Sequence, residues 1–302
     1  MNISFFYVDE INGTNIAKEL ELRGHNILYN EIGYETQLAI AVCLYSTKNM
    51  MNYIEKHNIK VKTASVVLDI PFWRIGIPRW DEIYNDYKKL VSKCDYIFTI
   101  SNFTTSEVKR IWGLDSIPLF LEFNNKRIEE YYNYVANRKH QIVCISRFVP
   151  HKRFELVLEA IKDTDWKIVL IGYGESLNRY VSLIYNYKID NEILINPPWK
   201  TVVEKLCESE ICVHPSIFEG KSYVPKEALW CNTPVILADI PVNREFHGDS
   251  VSYFKMDDVE DLKRALDTLN RVPAISGRKF IEKNTIERVT DDIEKWLEEN
   301  IK

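Results

Sequence analysis

Glycine is scarce in this chain: 10 residues in 302, about half the usual share of roughly 7%. Glycine-rich and collagen-like classes are excluded, and each glycine is expected to answer a backbone need. No run of 18 apolar residues occurs, so no transmembrane helix is expected. No secretory leader is expected either, because the apolar stretch from Ile3 to Val8 is short and runs into Asp9-Glu10. The six cysteines (Cys43, Cys94, Cys144, Cys207, Cys212 and Cys231) contain no C-x-x-C pair. That argues against a disulfide framework or zinc site and fits buried thiols in a reducing cytoplasm. An excess of positive charge is also missing. Before Arg138 there are 15 Lys+Arg against 17 Asp+Glu (−2), which leaves −3 of the total −5 for the remainder. Neither part reads as a nucleic-acid module. The sequence holds no P-loop and no G-x-S-x-G elbow, which removes two common nucleotide and hydrolase chemistries.

What the chain does contain is ordinary globular substance, 46% hydrophobic and 27% charged, in an amount suited to two domains. Short β-branched or aromatic runs alternate with longer amphipathic stretches, the rhythm of α/β units with parallel sheets. Strands are expected at 3–8, 27–29, 38–44, 64–68, 96–100 and 117–121. A second series is expected at 142–146, 167–171, 193–195, 211–214, 235–237 and 251–254. Between the series lies the Asn-, Tyr- and charge-rich stretch 123–140. The expected organisation is two Rossmann-like domains facing across a cleft, residues 1–135 and 136–284. A terminal amphipathic helix follows in 285–302, with Ile286, Val289, Ile293 and Trp296 at helical spacing.

Ligands of such sheets bind beyond the carboxyl ends of the strands. In the second half, the first such place reads Ser146-Arg147-Phe148-Val149-Pro150-His151-Lys152. Two cations beside a helix start suit a diphosphate, and equally describe a solvated basic turn. The next loop carries Gly172 and Gly174, which permit close backbone approach or a tight turn. The third runs His214-Pro215-Ser216-Ile217-Phe218-Glu219-Gly220-Lys221-Ser222-Tyr223, with Glu227 on the following helix. A loop carboxylate and a helix carboxylate can each accept from a pair of hydroxyls, while amides between them face an anion. By spacing alone they also fit ordinary surface acids.

Taken in order, Ser146-Arg147-x4-Lys152, Ile171-Gly172-x-Gly174, Pro215-Ser216-x2-Glu219-Gly220 and Glu227-Ala228 followed by Thr233-Pro234-Val235-Ile236 closely resemble the C-terminal domain of retaining GT-B glycosyltransferases of the GT4 kind. In the first half, Gly13 before a helix ending Arg23-Gly24-His25, and Asp95 to Ser101, resemble the same family more loosely. The resemblance implies an α/β, GT-B fold and a cytoplasmic enzyme, with peripheral membrane contact allowed. Its substrates would be a UDP- or GDP-sugar and a glycan or lipid-linked hydroxyl acceptor. It implies no cofactor and no metal, and retention at the transferred hexose. Carried over by position, Arg147 and Lys152 would neutralise the diphosphate and Glu219 would hold sugar hydroxyls. Glu227 would hold ribose hydroxyls, and Gly13, Gly172, Gly174, Gly220, Lys221, Ser222 and Tyr223 would line the donor. The family usually has glycine and an aromatic where Lys221 and Ser222 stand. On the acceptor side the sequence offers Leu68-Asp69, where Asp69 reads as an acceptor contact or as a cap on Ile70-Pro71.

Competing readings are a metal-dependent transferase using Asp163-Thr164-Asp165, which precedes a strand rather than following one, and a catalytically silent module that binds glycan or an active partner. The loop 72–80, with Trp73 and Trp80 among arginines, reads as a sugar or headgroup platform or as aromatic packing. Trp199 is read as core, with a place beside the base as the other choice, and His214 as structural.

Overall fold

The computed structural model describes residues 1–7, 14–70, 78–119, 123–133, 137–268, 274–282 and 285–301. Met1–Phe123 joined by Asn284–Lys302 forms one compact unit, and Asn124–Lys283 forms another. Each is built on a six-stranded sheet in which every strand pairing is parallel.

In the first unit the strands are β1 (Asn2–Phe6), β2 (Asn26–Tyr29), β3 (Leu38–Val42), β4 (Lys62–Val67), β5 (Tyr96–Thr99) and β6 (Ile117–Pro118), in the order β2-β1-β3-β4-β5-β6. Helices cover both faces, and the central strand β3, Leu-Ala-Ile-Ala-Val, is apolar and buried along its whole length. Ile3, Phe5, Leu38, Ile40, Val66 and Phe98 pack to one side, Phe6, Ala39, Ala41 and Met50 to the other. That continuity explains a misread boundary. The expected strand 38–44 stops at Val42, because Cys43 takes φ 73° and opens the helix Cys43–His57. An unbroken apolar run has no period from which the change could be read. The expected strand 117–121 is paired only at Ile117–Pro118, and residues 120–122 lie outside the described residues.

The helix Ile286–Asn300 packs on this first sheet. Ile286, Val289, Ile293 and Leu297 join the core with Ile16 and Leu20, and the Trp296 ring meets the rings of Tyr96 and Phe98 edge-on at 4.8 Å each. Arg23 fastens it from outside, with bonds to Asp291 Oδ1 (2.6 Å), Glu294 Oε2 (2.6 Å) and the Glu287 carbonyl (2.8 Å), and His25 Nε2 lies 2.9 Å from Glu294 Oε1. Arg23→Ala is expected to speed amide exchange across 286–300 by ~10-fold, the equivalent of about 1.4 kcal/mol, in keeping with lost charge-assisted bonds at a partly exposed site. Exchange in the strands should stay unchanged. Equal rates in the helix of variant and parent would show that the apolar face alone holds it.

In the second unit β7 (Lys139–Ile145), β8 (Lys167–Ile171), β9 (Asn191–Leu194), β10 (Ser209–His214), β11 (Val235–Ala238) and β12 (Ser252–Phe254) are ordered β12-β11-β10-β7-β8-β9. This is the doubly wound order, and it reverses between β7 and β10. A ligand crevice is expected outside the carboxyl ends of those two strands. Their register pairs Ile142 with Ile211 and Val143 with Cys212, which brings the ends of both strands to the same edge. Asp163-Thr164-Asp165 sits in the turn before β8, where Thr164 N–H donates to the Ile161 carbonyl and Asp165 meets His140 at 3.2 Å. Among the described residues of the chain, no helix is long and apolar enough to cross a membrane.

Candidate functional site

The loop leaving β7 is pinned by Phe148, which is buried edge-on against Phe154 and Tyr180. Its backbone interleaves with the loop after β8. Phe148 N–H donates to the Tyr173 carbonyl and Ser176 N–H to the Phe148 carbonyl. Gly172 (φ 151°) and Gly174 (φ 144°) make this possible, for a Cβ on Gly172 would stand 1.8 Å from the Ser146 carbonyl oxygen and one on Gly174 2.4 Å from that of Phe148. Both glycines therefore have a use within the protein itself: they let two loops approach backbone to backbone. Pro150–Lys152 follows as a single 3-10 turn, and Arg153 (φ 55°) begins the helix Phe154–Ile161.

The two cations differ in their surroundings. Arg147 is exposed and has no ion pair or hydrogen bond among the described residues. Lys152 is 8% exposed, and its Nζ lies 2.5 Å from Glu219 Oε1. The same oxygen takes a second contact, 2.7 Å from His214 Nε2, at the end of β10. Burial alone would raise the Glu219 carboxyl, yet Lys152 and His214 hold it well below the usual carboxylate range. It is a buried anion kept charged by two donors. The loops after β7 and β10 are also tied through backbone: the His151 carbonyl accepts from Ile217 N–H (3.0 Å) and from Ser216 Oγ (3.3 Å).

Gly220, Lys221 and Ser222 are buried and lead into the helix Tyr223–Trp230. Ser222 Oγ makes no bond to its own helix and donates instead to Asn243 Oδ1 at 3.4 Å, while the Lys221 ammonium lies 4.9 Å from the Tyr223 ring centre. Glu227, on the same helix, is half-buried, and its carboxylate has no hydrogen-bond donor among the described residues. Burial pushes its carboxyl up to about 7, and Arg127 offsets only part of this. Arg127 lies over Trp199, 3.8 Å from the ring centre, and Trp199 Nε1–H donates to the Arg127 carbonyl at 2.9 Å. Trp199 is thus half-exposed and stacked, not core.

Glu227 therefore works against the fold when ionised. Its ordinary value of 4.5 is raised to about 7, so stability falls as pH rises from 4.5 to 7, and the cost is complete above 7. Glu227→Gln should leave the melting temperature at pH 4.5 unchanged and raise stability at pH 8 by about 1–3 kcal/mol. Melting curves at both pH values check this, and a gain of equal size at both would refute it.

The structure thus brings Arg147, Lys152, Gly172, Gly174, Glu219, Gly220, Lys221, Ser222, Tyr223 and Glu227 into one unit, around the ends of β7, β8 and β10. Asp69 belongs to the other unit, exposed just past β4. Gly13 and residues 72–77 of the Trp- and Arg-containing loop lie outside the described residues. Trp80 opens a helix and stacks with Tyr84 at 6.2 Å. Sequence reasoning missed His214 as a partner of Glu219, and Arg127 and Asn243 altogether. For His214 a signal existed in its place at a strand end five residues before the glutamate. For the other two none did.

Two parallel, helix-flanked sheets, the second in doubly wound order with this cluster at its switch point, define the α/β fold of GT-B glycosyltransferases. The family model for glycosyl transferases group 1 matches residues 133–288, and the chain belongs to that family. Among curated relatives, the O-antigen chain mannosyltransferase RfbU of Salmonella typhimurium is 20% identical over 220 residues, covering 70% of this chain and 62% of the relative. The chain thus spans less than two thirds of that protein's length. Among solved structures, sucrose-phosphate synthase from Thermosynechococcus elongatus superposes with a TM-score of 0.82 at 13% identity, over 99% of this chain and 98% of that one. Anabaena HepE in complex with UDP-glucose gives 0.76 at 12% identity, over 99% and 100%.

Proposed function

We propose that this glycosyltransferase moves a hexose from a UDP- or GDP-sugar to a hydroxyl of a glycan or lipid-linked acceptor, with retention of anomeric configuration. The second unit binds the donor and the first the acceptor. The observation that carries the reading is that an exposed cation with no partner among the described residues, Arg147, and a carboxylate kept charged by Lys152 and His214, Glu219, stand on neighbouring strand-end loops at the sheet's switch point. Arg147 meets the diphosphate. Lys152 lies between it and Glu219, and both cations stabilise the negative charge that grows on the leaving group. Glu219 accepts from sugar hydroxyls and Glu227 from the ribose. The acceptor oxygen bonds to the anomeric carbon on the face from which the diphosphate departs. The carbon–oxygen bond to phosphate breaks, and the acceptor proton passes to the leaving phosphate oxygen, so no protein nucleophile is required. Mannosyl and glucosyl donors are the natural first choices, given the mannosyltransferase relative and the UDP-glucose complex of the structural neighbour.

The test is release of nucleoside diphosphate from UDP-glucose, UDP-galactose, UDP-N-acetylglucosamine and GDP-mannose, with water as the slow default acceptor. Release from one of them, with the product anomer matching the donor by NMR, supports the reading. Binding without release from any would favour a silent sugar-binding module.

A further inference from the structure

We propose that His214 is a positioning residue that fixes which oxygen of Glu219 faces the donor sugar; the inference rests on the donor-site reading above. Both donors that reach Glu219, Lys152 Nζ at 2.5 Å and His214 Nε2 at 2.7 Å, converge on Oε1. Oε2 has no partner among the described residues. A carboxylate held by one donor can turn about its terminal torsion and exchange its oxygens. Two donors arriving from different strand ends, one from the turn after β7 and one from the end of β10, stop that rotation. They leave Oε2 as the acceptor for a sugar hydroxyl.

The surroundings of the ring argue that this bond is why a histidine stands there. His214 is 2% exposed, and its Nδ1 is buried with no partner among the described residues. A buried ring nitrogen left unsatisfied costs stability. An apolar side chain of similar volume would fill the site without that cost. Among the described residues the ring's one hydrogen bond is the bond to Glu219, so what the fold loses at Nδ1 is returned through that carboxylate, which the bond both keeps charged and holds in one orientation. Because the acceptor is a carboxylate, Nε2 carries the donated hydrogen.

The variants His214→Gln and His214→Asn separate this role from packing. The glutamine amide nitrogen reaches the place of Nε2, whereas that of asparagine reaches only the place of Nδ1. With the nucleotide sugar that the release assay selects, kcat for His214→Asn should fall about tenfold or more and His214→Gln should recover most of it. Binding of the bare nucleoside diphosphate (UDP or GDP) should match the parent in both, since it has no sugar to orient. Equal kcat in the two variants, or weakened diphosphate binding in both, would overturn the proposal. Glu219→Gln run beside them keeps the two readings apart. If it transfers at the parental rate, the donor-site assignment itself fails. If it is slow while His214→Asn is fast, only the role of His214 fails. Thermal melts of each variant report whether a loss of rate accompanies a loss of fold.

Discussion

Lys152→Ala is expected to lower kcat/KM by ~10²-fold or more, the scale of one preorganised charge contact to a leaving group, and to destabilise the second unit by about 3–5 kcal/mol. The second effect follows from burial. With the ammonium gone, Glu219 remains in a pocket where its side chain is only 10% exposed, and an uncompensated buried charge is costly. The two losses can be separated. Adding Glu219→Gln to Lys152→Ala removes the stranded charge, so stability should return while turnover should not. Denaturant unfolding of the single and double variants, set beside nucleotide release, gives both quantities. A single variant that turns over at the parental rate would refute the placing of Lys152. A double variant no more stable than the single would show that the carboxylate had found another partner.

Arg138→Ala is expected to cost stability on the same scale, about 3–5 kcal/mol, without touching the site directly. Its two terminal guanidinium nitrogens lie 2.6–3.2 Å from six acceptors and share their hydrogens among them: the carbonyls of Leu206, Cys207, Ser209, Cys231 and Asn232 and Thr233 Oγ1. Four of those carbonyls end the helices Trp199–Glu208 and Tyr223–Trp230, where orphaned acceptors and the negative helix terminus both call for a cation. Removing the planar donor leaves several acceptors unpaired at once. Arg138→Lys should restore little, since one compact ammonium cannot fan out to six acceptors. Calorimetry should show the melting temperature falling by roughly 6–15 °C for a unit of this size. A fall under about 2 °C would mean that water replaces the guanidinium at no cost.

These two residues mark the limits of reading the sequence. The alternation of strands and helices is legible because short β-branched or aromatic runs give way to longer stretches of helical period, and the strand-end loops because Gly, Pro, Lys and Glu there stand close together in the chain. Lys152 was singled out on that local grammar, although its partner Glu219 lies in another loop. Arg138 was visible only as one charge in a polar connecting stretch. The carbonyls it gathers come from residues 206–209 and 231–232, and no local pattern foretells that they meet. Gly172 and Gly174 read as room for a ligand against the backbone or as a tight turn, and what the structure sets against them is the protein's own Ser146–Phe148 segment. His214 reads as structural from its place before a proline; its position at a strand end five residues before Glu219 was the signal that a carboxylate could fold back onto it.

The return of Ile286–Asn300 to the first sheet has a consequence for how the chain is made. The groove formed by Ile16, Leu20 and the first sheet is translated early, while the helix that covers it emerges only after residues 124–283 have been synthesised. Domains tend to fold as units in order of synthesis. Here the second unit is continuous in sequence and can close first, while the first waits with an open apolar seam. Ribosome-bound chains halted before residue 285 should therefore expose a greasy surface that a chaperone would hold, and the order of completion would be opposite to the order of translation.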